Sequence, residues 1–202
     1  GEALSTALAA RFADALGAQV RNMYGPTEAA VTVLTHVYDG SEVSAWVPIG
    51  RPPPNVNVYV LDRRLQPAPI GVAGELCIAG VQLARGYLNQ PELTDAKFVR
   101  NPFSDDPGSR LYRTGDLVRY RPDGEIEFVG RVDDQVKVRG FRIELGEIET
   151  ALREHPKVRD AVVSALGGEL DRKKLVAFLD APEGPRGGEL RAFLKQRLPA
   201  YM

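Results

Sequence analysis

A single cysteine, Cys77, stands among 202 residues. That excludes an internal disulfide framework and a cysteine-cluster zinc site, and it suits a reducing, cytoplasmic setting. Histidine is nearly as scarce: His36 and His155 are too isolated to suggest a metal site or a catalytic dyad. Excess charge of one sign is missing too, with 26 Lys+Arg against 27 Asp+Glu, which argues against a nucleic-acid binder that works by bulk charge. A cut near residue 132 leaves about −2 before it and about +1 after it, so neither part hides a basic domain. No apolar run approaches the roughly 18–20 residues that span a bilayer, and no signal peptide precedes the first predicted helix. The expectation is a cytoplasmic chain with no membrane and no nucleic-acid partner.

Turn-forming residues are plentiful. Twenty glycines and 15 prolines predict many tight turns and short strands, while 44% hydrophobic residues suffice for a buried core. Leu4, Leu8, Phe12 and Leu16 recur at helical spacing and Gly17 follows as a stop, which predicts a helix over 3–16. A strand at 18–23 runs into Tyr24-Gly25-Pro26-Thr27-Glu28, and 29–37 reads as extended. Further strands are expected at 56–61 and 75–79, with strand-turn-strand at 117–130 around Pro122-Asp123-Gly124. The middle region thus reads as a small twisted antiparallel barrel or sheet. From Arg131 the texture changes: a strand at 136–138, a helix at 145–154, strands at 158–165 and 173–180, and a helix at 188–198 predict a compact α+β module. Glu149 and Arg153 are placed to pair on the outer face of the first of those helices.

Three stretches bear on chemistry. In 22–28, Gly-Pro after a strand forces a turn beyond the strand's carboxyl end, where α/β sheets bind ligands. It brings an aromatic ring, a hydroxyl and a carboxylate within five residues, a set suited to a base, a phosphate and an oxygen-ligated Mg²⁺. A plain turn with a half-buried Tyr and a solvated Glu satisfies the same pattern. In 111–117, Asp116 beside Gly115 at a strand entrance suits a ribose diol, although Thr-Gly-Asp is also common in ordinary turns. In 130–149, Lys137 and Arg139 share one face of a strand that reads equally as a charged edge, and Asp133-Asp134 at the compositional break suits a hinge. Residues 74–88 read as scaffold without chemistry, and Cys77 as a small core residue.

Taken in order, these segments resemble the adenylation domains of nonribosomal peptide synthetases, within the adenylate-forming superfamily. The stretches NMYGPTE at 22–28, GELCIAGVQLARGYL at 74–88, YRTGDL at 112–117, GRVDDQVKVRGFRIELGEIE at 130–149 and LPAYM at 198–202 carry the likeness. A fragment of a related acyl- or aryl-CoA ligase is the alternative. The resemblance implies an α/β to α+β fold: residues 1–132 as the C-terminal part of the large subdomain and 133–202 as an incomplete small one. It implies ATP and Mg²⁺, an amino-acid substrate, an aminoacyl-AMP product, and transfer to the phosphopantetheine of a carrier domain, with a condensation domain in cis. This is the secondary metabolism that yields peptide antibiotics.

Carried over residue by residue, the resemblance assigns Asn22 to the adenine amino group, Tyr24 and Phe128 to the two faces of the base, and Asp116 and Arg131 to the ribose. Thr27 would contact the α-phosphate and Glu28 would bind Mg²⁺. Met23, Val31 and Thr32 would line the amino-acid pocket, Asp133 would be the hinge, and Lys137 and Arg139 would lie on the strand used in the thioester-forming state. The family's Gly/Ser/Thr-rich phosphate loop with its Lys, the Asp that clamps the substrate amino group, and the Asn-Gly-Lys motif do not occur in this sequence. Both ends are therefore expected to be cut, and the fragment alone to be inactive.

Overall fold

A computed structural model describes residues 3–133, 135–138, 140–167, 174–182 and 184–202. They fall into two compact units that meet in sequence at Val132 and Asp133.

The first unit opens with α1 (Thr6–Leu16), whose N-cap Ser5 hydroxyl accepts from the Leu8 N–H at 3.2 Å and whose C-cap Gly17 takes φ +57°, as capping chemistry requires. The apolar stripe behaves differently from its spacing. Phe12 and Leu16 are 52% and 67% exposed, and Ala9 is the buried position, because the helix is tied to this unit through its first turn (Thr6 N–H to Ala45 O, 3.0 Å).

Next, β1 (Val20–Tyr24) pairs antiparallel with β2 (Leu34–Tyr38). The expected extended run over 29–37 is broken: Thr27–Ala29 form a 3-10 turn, and Ala30 and Val31 take φ +57° and +72°. The cause is the closeness of the loop's two limbs. A Cβ on Gly25 would lie 2.4 Å from the Val31 carbonyl oxygen, and the Val33 N–H reaches the Tyr24 carbonyl at 2.7 Å.

A curled antiparallel sheet follows, built from β3 (Val56–Leu61), β4 (Gly74–Gly80), β5 (Phe98–Arg100), β6 (Arg110–Tyr120) and β7 (Ile126–Arg131). Strand order is β3-β4-β6-β5, with β7 also on β6. Helix α2 (Pro91–Lys97), which precedes β5, is too short to show a hydrophobic period, although Pro91 at its start and Lys97 at its end are standard terminus signals. Residues 49–51 join the two sheets: Thr35 and Arg51 exchange backbone bonds at 2.9 and 3.0 Å, while Gly50 and Ile126 exchange them at 3.3 and 3.0 Å. The β1–β2 pair is thereby linked edge to edge with β7. Leu34, Ile49, Leu76, Ile78, Tyr112, Val118 and Ile126 fill the core beneath.

The second unit pairs β8 (Val136–Val138) with β9 (Phe141–Ile143), continues into α3 (Leu145–Arg153), and pairs β10 (Asp160–Leu166) with β11 (Lys174–Asp180) before α4 (Gly187–Lys195). Leu145, Ile148 and Leu152 on α3 pack with Ala161 and Val163 of β10 and with Leu190 of α4, so the alternating inward residues of a strand meet the stripe of a helix. Glu149 and Arg153 do pair, at 3.6 Å, and Arg153 reaches Asp160 at 2.7 Å as well. Among the described residues no helix is long and apolar enough to cross a membrane.

Candidate functional site

Asp116 lies inside β6 and not at a strand entrance, because the strand begins at Arg110; the strand-turn-strand expected over 117–130 is present, as the end of β6, the turn at 122–124 and β7. The β4–β6 ladder shifts register between Glu75 and Cys77, which pair with Leu117 and Arg113. Two extra residues are thus accommodated as a bulge at Thr114–Asp116, where Gly115 takes φ +74°, a conformation only glycine adopts without strain. The bulge is satisfied from both sides. Thr114 Oγ1 donates to the Leu76 carbonyl at 2.7 Å and accepts from the Asp116 N–H at 2.9 Å. Glu75 Oε1 accepts from the Gly115 N–H at 3.1 Å, and Glu75 Oε2 is bound by Arg113 Nη2 at 2.6 Å and Nε at 3.1 Å. Buried charge in an otherwise apolar strand is the signal that could have marked Glu75 in the sequence.

Past the bulge, Asp116 and Arg131 are direct cross-strand partners of β6 and β7, so their side chains share a face. Arg131 Nη1 donates to Asp116 Oδ1 at 2.5 Å, and the Tyr24 hydroxyl at the end of β1 donates to Oδ2. Arg131 Nη2 also reaches the Thr114 carbonyl at 3.3 Å. Both charged side chains are almost wholly enclosed, 6% exposed for Asp116 and 12% for Arg131. Burial first, and the facing Asp116 carboxylate second, hold the Tyr24 phenol well above the usual tyrosine range, so it remains a donor. The Tyr24 hydroxyl and the Arg131 guanidinium thus converge on one carboxylate.

Around this centre, Asn22 on β1 donates through Nδ2 to the Pro48 carbonyl at 2.8 Å and the Val47 carbonyl at 3.4 Å, which leaves Oδ1 as its acceptor. Thr27 opens the 3-10 turn and is exposed. Glu28 is buried, which departs from a solvated acid: Oε1 accepts from the Tyr87 hydroxyl at 2.7 Å. Phe128 on β7 packs against the main core. Met23 and Val31 are exposed and Thr32 is half-buried along the β1–β2 connection. Val31, a β-branched residue held at φ +72°, carries about 1–3 kcal/mol of backbone strain, a feature that gathers at ligand sites. In the second unit Asp133 Oδ1 accepts from the Gln135 N–H at 3.4 Å. Arg139 and the side chain of Lys137 lie outside the described residues.

His36 is held between Glu42 (2.7 Å) and Glu125 (2.9 Å), and tethers β2 to the turn before β7. Among the described residues no group of three or more His, Cys, Asp or Glu could hold a metal ion.

Cys77 is fully enclosed on β4, and burial, with the Glu75 charge adding to it, pushes its thiol from an ordinary value of 9.0 up to about 12. The unfolded chain therefore loses this proton first. Stability from the buried thiol is complete below about pH 9 and is lost as pH rises toward 12. Tyr24 and Tyr87, both raised chiefly by burial, act in the same direction. The urea midpoint is expected to fall steadily from pH 9 to 11. At pH 8, disulfide-exchange labelling of Cys77 should be much slower in the native chain than in urea, because the enclosed thiol is both protonated and out of reach.

An enclosed acid, arginine and tyrosine thus lie beside a turn that carries a hydroxyl and a carboxylate, on a fold shared with solved adenylation domains. Residues 1–88 match the family described as AMP-binding enzyme. The chain is 49% identical over 202 residues to tyrocidine synthase 3 of Brevibacillus parabrevis, covering all of this chain and 3% of that one. It is 50% identical over 204 residues to the phosphinothricin tripeptide synthetase PhsC of Streptomyces viridochromogenes, covering all of this chain and 18% of that one. Among solved structures, the Vibrio cholerae adenylation domain AlmE, in complex with glycyl-adenosine-5'-phosphate, superposes with a TM-score of 0.86 at 31% identity, over all of this chain and 39% of that one. The chain belongs to the adenylation domains of nonribosomal peptide synthetases, and it spans only a small part of the length of the relatives it matches.

Proposed function

We propose that this chain belongs to a protein that activates an amino acid with ATP and then loads it on a carrier domain. In that reading Ala3–Val132 is the C-terminal part of the large subdomain and Asp133–Met202 is part of the small one. What supports it most is the convergence of Tyr24 and Arg131 on the enclosed carboxylate of Asp116. A carboxylate offers about four acceptor positions; two are taken by Tyr24 and Arg131, and two are left for the vicinal hydroxyls of a ribose. Asn22 Oδ1 accepts from the adenine amino group, while Tyr24 and Phe128 flank the base. AlmE, solved with an aminoacyl adenylate, and a four-domain nonribosomal peptide synthetase solved with AMP and glycine (43% identity, TM-score 0.59, all of this chain and 15% of that one) lend weight to the same ligand class.

The amino-acid carboxylate attacks the α-phosphorus. The α–β anhydride bond breaks, its electron pair leaves with pyrophosphate, and aminoacyl-AMP remains. Thr27 steadies the α-phosphate by hydrogen bonding, and Glu28 takes Mg²⁺, which when bound offsets the charge that develops on the phosphates. Met23, Val31 and Thr32 form a wall of the amino-acid pocket. Rotation about Asp133 then brings the strand with Lys137 and Arg139 toward the carrier, whose phosphopantetheine thiolate attacks the acyl carbon and releases AMP. A condensation domain in the same polypeptide and a cytoplasmic location complete the proposal.

ATP–pyrophosphate exchange tests it. A chain extended to the length of the matched adenylation domains should exchange with one amino acid or a few. The 202 residues alone should give background, because their sequence holds no Gly/Ser/Thr-rich phosphate loop and no Asn-Gly-Lys, and with them go the preorganised charges such chemistry depends on. Normal turnover by the 202-residue chain would overturn the second statement, and no exchange by the extended chain the first.

A further inference from the structure

The segment 74–88, scaffold by its sequence, reaches the site from behind. Tyr87 stands at its end with its hydroxyl on Glu28 Oε1 at 2.7 Å. The same loop holds Glu28 by its main chain, since the Ala84 N–H donates to the Glu28 carbonyl at 2.8 Å. Tyr87 itself has little freedom. Its N–H donates to Thr94 Oγ1 at 2.9 Å, and Thr94 Oγ1 donates to the Gln90 carbonyl at 2.9 Å. Its ring meets Phe98 edge-on, with centroids 5.7 Å apart. Arg110 clamps the loop by donating to the Ala84 and Arg85 carbonyls at 2.9 and 2.8 Å, with its guanidinium 5.3 Å from the Phe98 ring centroid. Gly86, at φ +150°, lets the loop close on α2, where a Cβ would lie 2.5 Å from Thr94 Cγ2.

We propose that Tyr87 is a positioning residue for the cation carboxylate: its hydroxyl fixes Glu28 Oε1, sets the plane of the carboxylate, and so raises the affinity of the site for the divalent ion that accompanies ATP. The inference rests on the reading of Glu28 as the Mg²⁺ residue. Donors behind a ligating carboxylate orient it, and their loss commonly costs 10–100-fold in metal affinity. Burial, with the Tyr112 hydroxyl and Glu28 adding to it, pushes the Tyr87 phenol upward, which keeps it a donor throughout the physiological range.

The test uses the extended adenylation domain. Mn²⁺ binding in the presence of α,β-methylene-ATP is followed by the loss of the free-ion paramagnetic resonance signal, and AMP affinity is measured without metal. Tyr87→Phe, which keeps the ring on Phe98, should weaken Mn²⁺ binding by about 10–100-fold while leaving metal-free AMP affinity and the amino-acid KM unchanged. Glu28→Gln should weaken Mn²⁺ at least as much, and the double variant no further than Glu28→Gln alone. If Tyr87→Phe binds Mn²⁺ normally while Glu28→Gln does not, the positioning role is overturned and the Glu28 reading stands. Unchanged Mn²⁺ affinity in Glu28→Gln overturns both. An equal loss of Mn²⁺ and metal-free AMP affinity in Tyr87→Phe marks a structural residue and overturns the proposal as well.

Discussion

Replacing Asp116 by Ala is expected to destabilise Ala3–Val132 by about 3–5 kcal/mol and to remove adenosine-phosphate binding altogether. Both effects come from the same atoms. Asp116 and Arg131 are nearly enclosed and 2.5 Å apart. A buried ion pair adds little to stability over an apolar packing, but deleting one member leaves a costly charge behind. Here the guanidinium loses the anion that faces it, and the Tyr24 hydroxyl loses the acceptor that brings the end of β1 to β6. Asp116→Asn should cost less in stability, because an amide oxygen still accepts from Tyr24, yet it removes the charge that offsets Arg131. Urea unfolding followed by circular dichroism measures the first effect, and calorimetric titration with AMP of the extended domain measures the second. A loss below about 1 kcal/mol would mean that the pair behaves as a surface contact and that the three side chains are not locked together.

The parts of the fold legible in the sequence are those where local spacing and burial coincide. The α3 stripe of Leu145, Ile148 and Leu152 is one such case, and the apolar run of β4 is another. Gly115 misled the reading because glycine most often ends a strand, whereas here it sits in a bulge that keeps β6 running for 11 residues. The α1 stripe misled in the opposite way: helical spacing predicts a buried face, yet the face left open is the one with Phe12 and Leu16. For the site, each short motif named its own residue types, and the resemblance supplied their roles. The resemblance brought Tyr24, Asp116 and Arg131 around one ligand, but the direct contacts between motifs were not legible. That Asp116 faces Arg131 depends on the register of two strands, and that Tyr87 holds Glu28 depends on a loop folding back over 59 positions. Such pairings are fixed by tertiary packing, which no window of local sequence contains.

Gly50→Ala should be a severely damaging substitution remote from the ligand groups, with an expected loss of about 2–5 kcal/mol. Gly50 takes φ +94°, and a Cβ there would lie 1.9 Å from the Thr35 carbonyl oxygen and 2.6 Å from the His36 nitrogen. Both obstacles are backbone, so no rotamer change relieves them. The left-handed conformation alone costs an alanine about 1–2 kcal/mol. Relieving the clash then requires the seam to part, which breaks the two bonds between Thr35 and Arg51, each contributing about 0.5–1.5 kcal/mol. Gly40 is the matched control, with φ +85° and nothing within 4 Å of its would-be Cβ; Gly40→Ala should cost only the conformational part. The contrast isolates the seam, because the two glycines share backbone strain and differ only in what a methyl group would meet. The consequence reaches the site through geometry. Residues 49–51 link the strand pair ending in Tyr24 to β7, which carries Arg131, so widening that seam withdraws Tyr24 from Asp116. Gly50→Ala should therefore weaken AMP binding in the extended domain even at temperatures where the chain stays folded, while Gly40→Ala should leave it at the wild-type level; equal behaviour of the two variants would show that the seam does not set the position of Tyr24.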